Sequence, residues 1–375
     1  MTVTRSAIGL AARSIGHRAL ILVTSYPGQP TCAELERQAA AGERPRKDYV
    51  ELARVLGAEV VDDSYLRKKS TAVARVIGRV AGRPAAQVAE AFLRGGDYDH
   101  VFAWPERIGL PLALIHKIAH VDRDVVLVAA WPSRGGKAFM LRRLQVHTRL
   151  RAIMSGSSAQ LEIAAGRLGV PRDKLHLLPQ PVDELFWRPR APARTNVICS
   201  VGSTGRDYDT LFSAVTDLDL DLRIAVGRGD LRDPALEDRL NGRLPSKTTI
   251  EHLAPAELRD LYASARFVVM PLEDVESDAG VTALTEAMAM EKAVIVTRTR
   301  GQIDVIEDGR QGIYVRPRDP EALRRAIQYL VAHPAEADRM GRAGRALVEK
   351  RHTLTAFVER LASIVRGEAV LDRSN

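Results

Sequence analysis

The sequence predicts an α/β protein with two domains, each built on a parallel sheet with helices on both faces. Short β-branched apolar runs alternate with longer stretches of helical periodicity along most of the chain, and this alternation is typical of parallel sheets. The 375 residues exceed what one hydrophobic core usually covers. A segment with four prolines, residues 179–196, interrupts the alternation. We therefore predict domains at residues 1–188 and 189–375.

The first domain is predicted to contain strands at 19–24, 59–61, 100–103 and 125–129. Between these strands, apolar residues recur every three to four positions, which predicts helices at 49–56, 71–80, 85–93 and 110–118.

The second domain repeats the pattern. Strands are predicted at 197–201, 222–226, 248–251, 267–271, 294–297 and 312–315, with helices at 209–215, 255–263, 282–290, 322–331 and 335–350. Asp319 is predicted to cap the fourth of these helices, and Pro320 suits its first position. Two such domains enclose a cleft, and ligands of parallel sheets bind beyond the carboxyl ends of the strands.

Composition excludes several classes of protein. Apolar residues are plentiful, at 46%, and no apolar run reaches the roughly 20 residues that span a bilayer. The first eighteen residues carry scattered arginines and no long apolar block, which argues against a signal peptide. Cys32 and Cys199 stand far apart, so no disulfide framework is predicted. We expect a cytoplasmic protein.

The net charge is +8, and basic residues cluster in the first half. The clusters are Arg44, Arg46 and Lys47; Arg67, Lys68 and Lys69; and Arg142, Arg143, His147, Arg149 and Arg151. They suit an acidic partner such as a membrane surface, giving peripheral contact on its cytoplasmic face, or a phosphorylated substrate. Nucleic acid is not favoured, because no aromatic-interleaved basic stretch accompanies the charge. Solvated helix faces are the alternative interpretation.

An anion site is predicted where the strand near 267–271 leads to a helix starting near Gly280. The backbone N–H groups of Ala279, Gly280, Val281 and Thr282 would point at the ligand, and the helix dipole favours negative charge there. Small side chains would allow close approach.

Two acids bracket this turn. Asp278 and Glu286 have seven residues between them, and they suit hydroxyls beside a diphosphate: Asp278 toward a sugar, Glu286 toward a ribose. Alternatively, neither acid binds a ligand: Asp278 is a solvated carboxylate that caps the helix, and Glu286 is an exposed helix residue. Asp274, Glu276 and Asp278 also allow a metal-binding acidic loop.

A second turn follows the strand that ends at Val201. Gly202 and Gly205 make it flexible. Arg206 could form a bidentate hydrogen bond with a diphosphate and balance the charge of a leaving group. A tight strand-to-helix connection is the alternative. In the first domain, Glu106 follows a strand and is a candidate for contact with an acceptor, or an ordinary loop acid.

These segments resemble retaining glycosyltransferases of family four (glycosyl transferases group 1), which have the GT-B fold. The similar stretches are LLPQPVDELFWRP at 177–189, the acid pair with seven intervening residues, and LTEAMAMEKAVIVT followed by GQIDVIEDGRQGIYVRPRDPEAL. The resemblance implies two facing Rossmann-like domains, with a UDP- or GDP-linked sugar on the second and an unidentified acceptor (lipid-linked, polysaccharide or small molecule) on the first. It implies transfer with retention of configuration, no metal, and a last helix near 354–367 that returns to the first domain.

Under this resemblance, Arg206, Asp278 and Glu106 are the catalytic candidates, and Gly202, Gly205, Arg206, residues 278–282 and Glu286 bind the donor. The chain departs from the family at three places: Asp278 replaces a glutamate, Glu291 stands where a glycine is usual, and Ala130 and Trp131 stand where a histidine is common. A nucleotide-sugar epimerase or hydrolase and a non-catalytic sugar-nucleotide-binding protein therefore remain as alternatives.

Overall fold

The computed structural model describes residues 18–130, 132–133, 135–190, 196–227, 238, 240 and 242–366. Trp131 and residues 1–17, on which the argument about a signal peptide rests, lie outside the described residues. Within the described ranges, every helix is too short or too polar to span a bilayer.

The described part of the first domain contains a six-stranded parallel sheet. Its strands, β1 to β6, are Ala19–Leu22, Glu59–Val61, His100–Ala103, Asp124–Val128, Ala152–Ser155 and Leu175–Leu177, arranged in the order β2-β1-β3-β4-β5-β6. Its helices, α1 to α7, are Cys32–Ala40, Asp48–Leu56, Asp63–Lys68, Ala72–Arg94, Glu106–Ile118, Gly136–Arg142 and Ser158–Gly166. Leu20 and Leu22 pack into one apolar cluster and Ile21 into another, because successive side chains of a strand point to opposite faces.

The described part of the second domain has the same architecture. Strands β7 to β12 are Val197–Val201, Asp221–Ala225, Thr248–Glu251, Val268–Met270, Val294–Thr297 and Gly312–Val315, in the order β12-β11-β10-β7-β8-β9. Helices α8 to α13 are Tyr208–Val215, Pro255–Ser264, Val281–Ala289, Pro320–Ala332, Pro334–Arg351 and Leu354–Arg366. The side chain of Asp319 caps α11 by accepting from the N–H of Ala322 at 2.8 Å. The predicted α/β fold class is confirmed.

The chain passes between the domains twice, and the two crossings pair with each other. Val182 donates to the carbonyl of His352 at 2.8 Å, and Leu354 donates back to the carbonyl of Val182 at 3.0 Å. Beyond this point, α13 packs Phe357 and Leu361 into the first domain's core beside Ile21. The second crossing therefore covers apolar surface of the domain in which the chain began.

Sequence analysis missed six elements of the first domain: β5, β6, α1, α3, α6 and α7. The strands are three or four residues long, and α3 and α6 have six and seven residues, too few for a pattern to repeat. The two helices predicted at 71–80 and 85–93 form one run, α4, that is broken at Gly82, whose φ of 83° is not helical.

Glu291 occupies a backbone position that favours glycine. Its φ is 56°, and it follows α10 in a Schellman arrangement, in which Glu291 N–H bonds to Met288 O and Lys292 N–H to Ala287 O, both at 3.0 Å. A left-handed φ costs a residue with a Cβ roughly 1 kcal/mol.

We therefore expect Glu291→Gly to raise the free energy of unfolding by about 0.5–1 kcal/mol, measured by urea denaturation. Arg325→Gly, at an exposed position in the middle of α11, is the control and should lower it by a similar amount. Destabilisation by both variants would contradict the strain argument.

Candidate functional site

The loop between β7 and α8 is held by the loop that follows β10. Glu273 N–H donates to Gly205 O at 3.0 Å, and Asp207 N–H donates to Pro271 O at 3.1 Å. Asp207 also caps α8, accepting from the N–H of Thr210 at 3.1 Å. These bonds fix the backbone on both sides of Arg206, and the turn that carries its side chain is therefore rigid.

The guanidinium of Arg206 lies between the two predicted glycine turns. A Cβ at Gly202 would come within 2.4 Å of Nη2, and a Cβ at Gly280 within 3.2 Å of Nη1. Both glycines have positive φ, 105° and 83°. A Cβ at Gly205 would lie 3.3 Å from the Cβ of Ala279. The fold thus brings together Gly202, Gly205, Arg206, Ala279 and Gly280.

Arg206 is a buried cation that forms no ion pair with any described residue. Only 6% of its surface is exposed. Nε donates to Val201 O at 2.9 Å and Nη1 to Thr204 O at 3.0 Å. Burial lowers the pKa of its guanidinium. A buried charge is costly without a counterion, so this position is prepared to receive an anion.

At the start of α10, one of the backbone N–H groups predicted to bind an anion already has a partner. Gly280 is its N-cap residue, but the N–H of Val281 donates to Asp278 O at 3.1 Å. That N–H is therefore not free for a bound anion, because the chain turns back on itself just before the helix. Thr282 is exposed on the first turn.

Asp278 lies at the junction of the two domains. A Cβ at Gly156, after β5, would come within 3.0 Å of Asp278 Oδ2. Burial raises the pKa of the Asp278 carboxyl, and the charge of Glu106 adds to the effect. Glu106 is the first residue of α5 and lies 3.5 Å from Lys137 Nζ. The two carboxylates therefore come from opposite domains, and the charge of Glu106 disfavours ionisation of Asp278.

Glu286 is half-buried on α10, which differs from the exposed helix position considered as its alternative. The hydroxyl of Tyr262 donates toward its Oε2 at 3.2 Å. Burial raises the pKa of the Glu286 carboxyl to about 8, although the bond from Tyr262 and the charge of Lys47 act in the opposite direction. A carboxyl with this pKa changes its charge near neutral pH.

The acidic loop before α10 is occupied by an arginine. Arg300 Nη1 lies 3.2 Å from Glu276 Oε1, and its Nε lies 3.9 Å from Asp274 Oδ1. Among the described residues, no group of three or more His, Cys, Asp or Glu side chains is arranged to hold a metal.

Polar contacts that sequence analysis did not identify join the first domain to the site loops. Gln160 Nε2 donates to Glu276 O at 2.9 Å. At the start of α7, the N–H and hydroxyl of Ser158 donate to Asp304 at 2.9 and 2.8 Å. Gln302 Nε2 donates to Ala279 O at 3.1 Å, and its buried Oε1 has no partner among the described residues. Single polar residues in loops carry no periodic signal, so only the fold reveals them.

Comparison with known proteins agrees with this architecture. Residues 195–333 match the family described as "Glycosyl transferases group 1". The chain is also similar to solved structures of low sequence identity. Anabaena Alr3699/HepE, in complex with UDP and glucose, aligns with a TM-score of 0.69 at 15% identity, over 94% of this chain and 100% of that one. Sucrose-phosphate synthase from Thermosynechococcus elongatus aligns at 0.71 and 15%, over 94% and 98%.

Curated relatives match part of the chain. Alpha-maltose-1-phosphate synthase of Mycobacterium tuberculosis is 25% identical over 221 residues, which are 51% of this chain and 56% of the relative. MMP alpha-(1->4)-mannosyltransferase of Mycolicibacterium hassiacum is 26% identical over 256 residues, covering 64% and 61%. The match thus spans less than two thirds of each relative's length.

The two parallel sheets and their helices have the GT-B fold of the solved structures named above. Within the second domain, residues 195–333 are similar to group 1 glycosyl transferases, as the sequence motifs indicated.

Proposed function

We propose that the protein transfers a sugar from a nucleotide-sugar donor to an acceptor hydroxyl, with retention of anomeric configuration. The observation that carries the proposal is the buried guanidinium of Arg206, which lies between Gly202 and Gly280 without an ion-pair partner among the described residues. A diphosphate supplies the missing negative charge, and the glycines leave room for the guanidinium that would bind it. UDP is the first donor nucleotide to test, because the Anabaena neighbour is described with UDP and glucose, and GDP is the second.

The remaining site residues fit the groups on either side of the diphosphate. Glu286, half-buried and hydrogen-bonded to Tyr262, would accept hydrogen bonds from ribose hydroxyls. Asp278, at the domain junction, where its charge interacts with that of Glu106, would contact the sugar. An acceptor bound by the first domain would lie near Glu106.

In the proposed reaction, the bond between the sugar C1 and the diphosphate oxygen breaks, and its electron pair leaves with the diphosphate. The acceptor oxygen forms its bond to C1 on the same face and gives its proton to the departing diphosphate. Arg206 stabilises the negative charge that develops, and the two domains hold donor and acceptor in contact. No metal is assigned to this step.

The test has two stages. Calorimetric titration with UDP, GDP and ADP, without and then with magnesium, should identify one nucleotide that binds. NMR of the corresponding nucleotide-sugars, with lipid-linked, saccharide and small-molecule acceptors, should then show a new glycosidic bond with the donor's anomeric configuration. Sugar release to water alone or epimerisation on the nucleotide would contradict transfer. Nucleotide binding without transfer, hydrolysis or epimerisation would support the non-catalytic sugar-nucleotide-binding alternative, and absence of binding by every nucleotide would contradict the proposal.

A further inference from the structure

Helix α4 is folded into a hairpin at the edge of the first domain. The break at Gly82 separates residues 72–81 from residues 83–94. Thr71 N–H and hydroxyl both donate to Glu90 Oε2 at 2.8 Å, and a Cβ at Gly78 would lie 3.0 Å from the Cβ of Ala86. The two segments therefore lie antiparallel, with the first as an outer layer.

The tip of this hairpin is at the carboxyl ends of the strands, on the side of the cleft. Gln87 Nε2 donates to Val23 O at 2.7 Å and to Val61 O at 2.6 Å. Val61 is the last residue of β2, and Val23 directly follows β1. Arg83, next to the break, donates to Asp63 at 2.9 Å just beyond β2. The turn at Gly82 thus projects beside the cleft.

The outer segment presents a stripe of aliphatic side chains to solvent. Val73, Val76 and Val80 are 54%, 57% and 86% exposed. Their spacing of three and four residues places them on one face of the helix, and Ala74 on the opposite side is fully buried. A helix normally turns such a stripe toward the core, so an outward stripe indicates a contact surface.

The chain around this stripe is rich in positive charge. Residues 64–89 contain six arginines and lysines and no carboxylate. Arg67 and Arg83 pair with Asp63, and Lys69 pairs with Glu59. Arg75 and Arg79, on the same helical segment as the valines, form no ion pair with any residue in the described ranges. We call Val73, Val76, Val80, Arg75 and Arg79 the hairpin patch.

The other two basic clusters are partly neutralised or buried. Arg46 forms a double hydrogen bond with Asp183, His147 is buried, and Arg149 lies 3.5 Å from Asp122. Arg142 and Arg143 are exposed, and Phe139 is the one large apolar side chain of their helix, α6, that is exposed. Of the three, the cluster that continues into α4 is the one that combines unpaired cations with an apolar stripe.

We infer that the hairpin patch binds an anionic lipid surface. The valines would enter the boundary between headgroups and acyl chains, and Arg75 and Arg79 would contact the headgroups. The patch is an outward helix face and has no aromatic residue between positions 66 and 91, whereas protein hot spots and single-stranded nucleic acid sites rely on aromatic side chains. Such binding would place the cleft beside the membrane, where a lipid-borne acceptor could reach it.

The test is flotation of the full chain with vesicles of phosphatidylcholine alone or mixed with phosphatidylglycerol. We expect binding to the anionic vesicles only, weakened by salt. A double variant, Arg75→Ser with Arg79→Ser, should lower the partition constant roughly 25-fold, since each cation contributes about fivefold. Val76→Ser with Val80→Ser should also weaken binding, because it removes apolar contact while leaving the buried face unchanged.

Matched controls are Arg325→Ser on the second domain, an exposed arginine, and Leu185→Ser, an apolar residue that is 64% exposed away from the patch. Equal loss in the controls, or no binding by the unmodified chain, would overturn the inference. Size-exclusion chromatography and titration with a labelled DNA duplex test the same variants for self-association and for nucleic-acid binding. If the unmodified chain does not bind vesicles but self-associates or binds the duplex, and only the patch variants lose this, the patch binds a second copy of the chain or nucleic acid instead.

Nucleotide titration is independent of vesicles, so failure of the membrane inference is distinguishable from failure of the proposed transferase activity.

Discussion

Replacing Arg206 with methionine is expected to reduce turnover by about 10²–10³-fold and to weaken nucleotide binding. Methionine retains most of the buried volume but removes the cation that lies between Gly202 and Gly280. Loss of one group that stabilises developing negative charge typically has an effect of this size. Single-turnover kinetics and calorimetric titration with the nucleotide identified above measure the two effects.

Two further variants separate the loss of charge from damage to the fold. Arg206→Lys keeps the charge but not the planar fork, so it should recover part of the activity. Arg345→Met removes another arginine that bonds to main-chain carbonyls, those of Trp187 and Ala289 at 2.9 Å, and should lower stability with little change in turnover. If Arg345→Met and Arg206→Met lose activity in parallel with stability, the role assigned to Arg206 is wrong.

Glu286→Gln is expected to remove a pH dependence from nucleotide binding. The pKa of Glu286 is about 8 in the free protein, so its carboxylate forms as pH rises through 8, and affinity for the ribose should rise with it. In the variant, affinity should stay nearly constant and be about 10-fold weaker at pH 9, the size of one hydrogen bond to a charged group. Titration calorimetry between pH 6.5 and 9 measures this.

Glu286 also makes the stability of the protein depend on pH. Stability should fall as pH rises, whereas nucleotide affinity should increase. The folded pKa lies above the unfolded value of 4.5, so the folded state binds the extra proton between these values. Its contribution to the free energy of unfolding is therefore present below pH 4.5 and lost as pH rises through 8. Glu286→Gln should flatten this dependence, whereas Glu321→Gln, an exposed acid of α11, should leave it unchanged. An unaltered pH profile in Glu286→Gln would refute the assignment.

The strands of the second domain were predictable because their apolar runs are bounded by clear breakers. β7, β9, β11 and β12 have the predicted bounds, and α11 begins at the predicted cap and proline. The first domain was less predictable. β5 and β6 are short, and α7 has little amphipathic pattern. These elements are stabilised by neighbours that lie far away in the sequence, and such neighbours do not show in a local window.

Sequence motifs identified the turns at Gly202 and Gly280, the acids Asp278 and Glu286, and the family that residues 195–333 match. A turn is a local property, because a positive φ or a strand-to-helix connection restricts which residues can occupy it. The distance between Arg206 and Gly280 is not local: it depends on β7 and β10 lying side by side. The burial of Arg206, the placement of Glu286 beneath Tyr262 and the approach of Asp278 to Gly156 arise only when sheets and domains pack. Charge states in the site follow from that packing, because burial and neighbouring charges control pKa values.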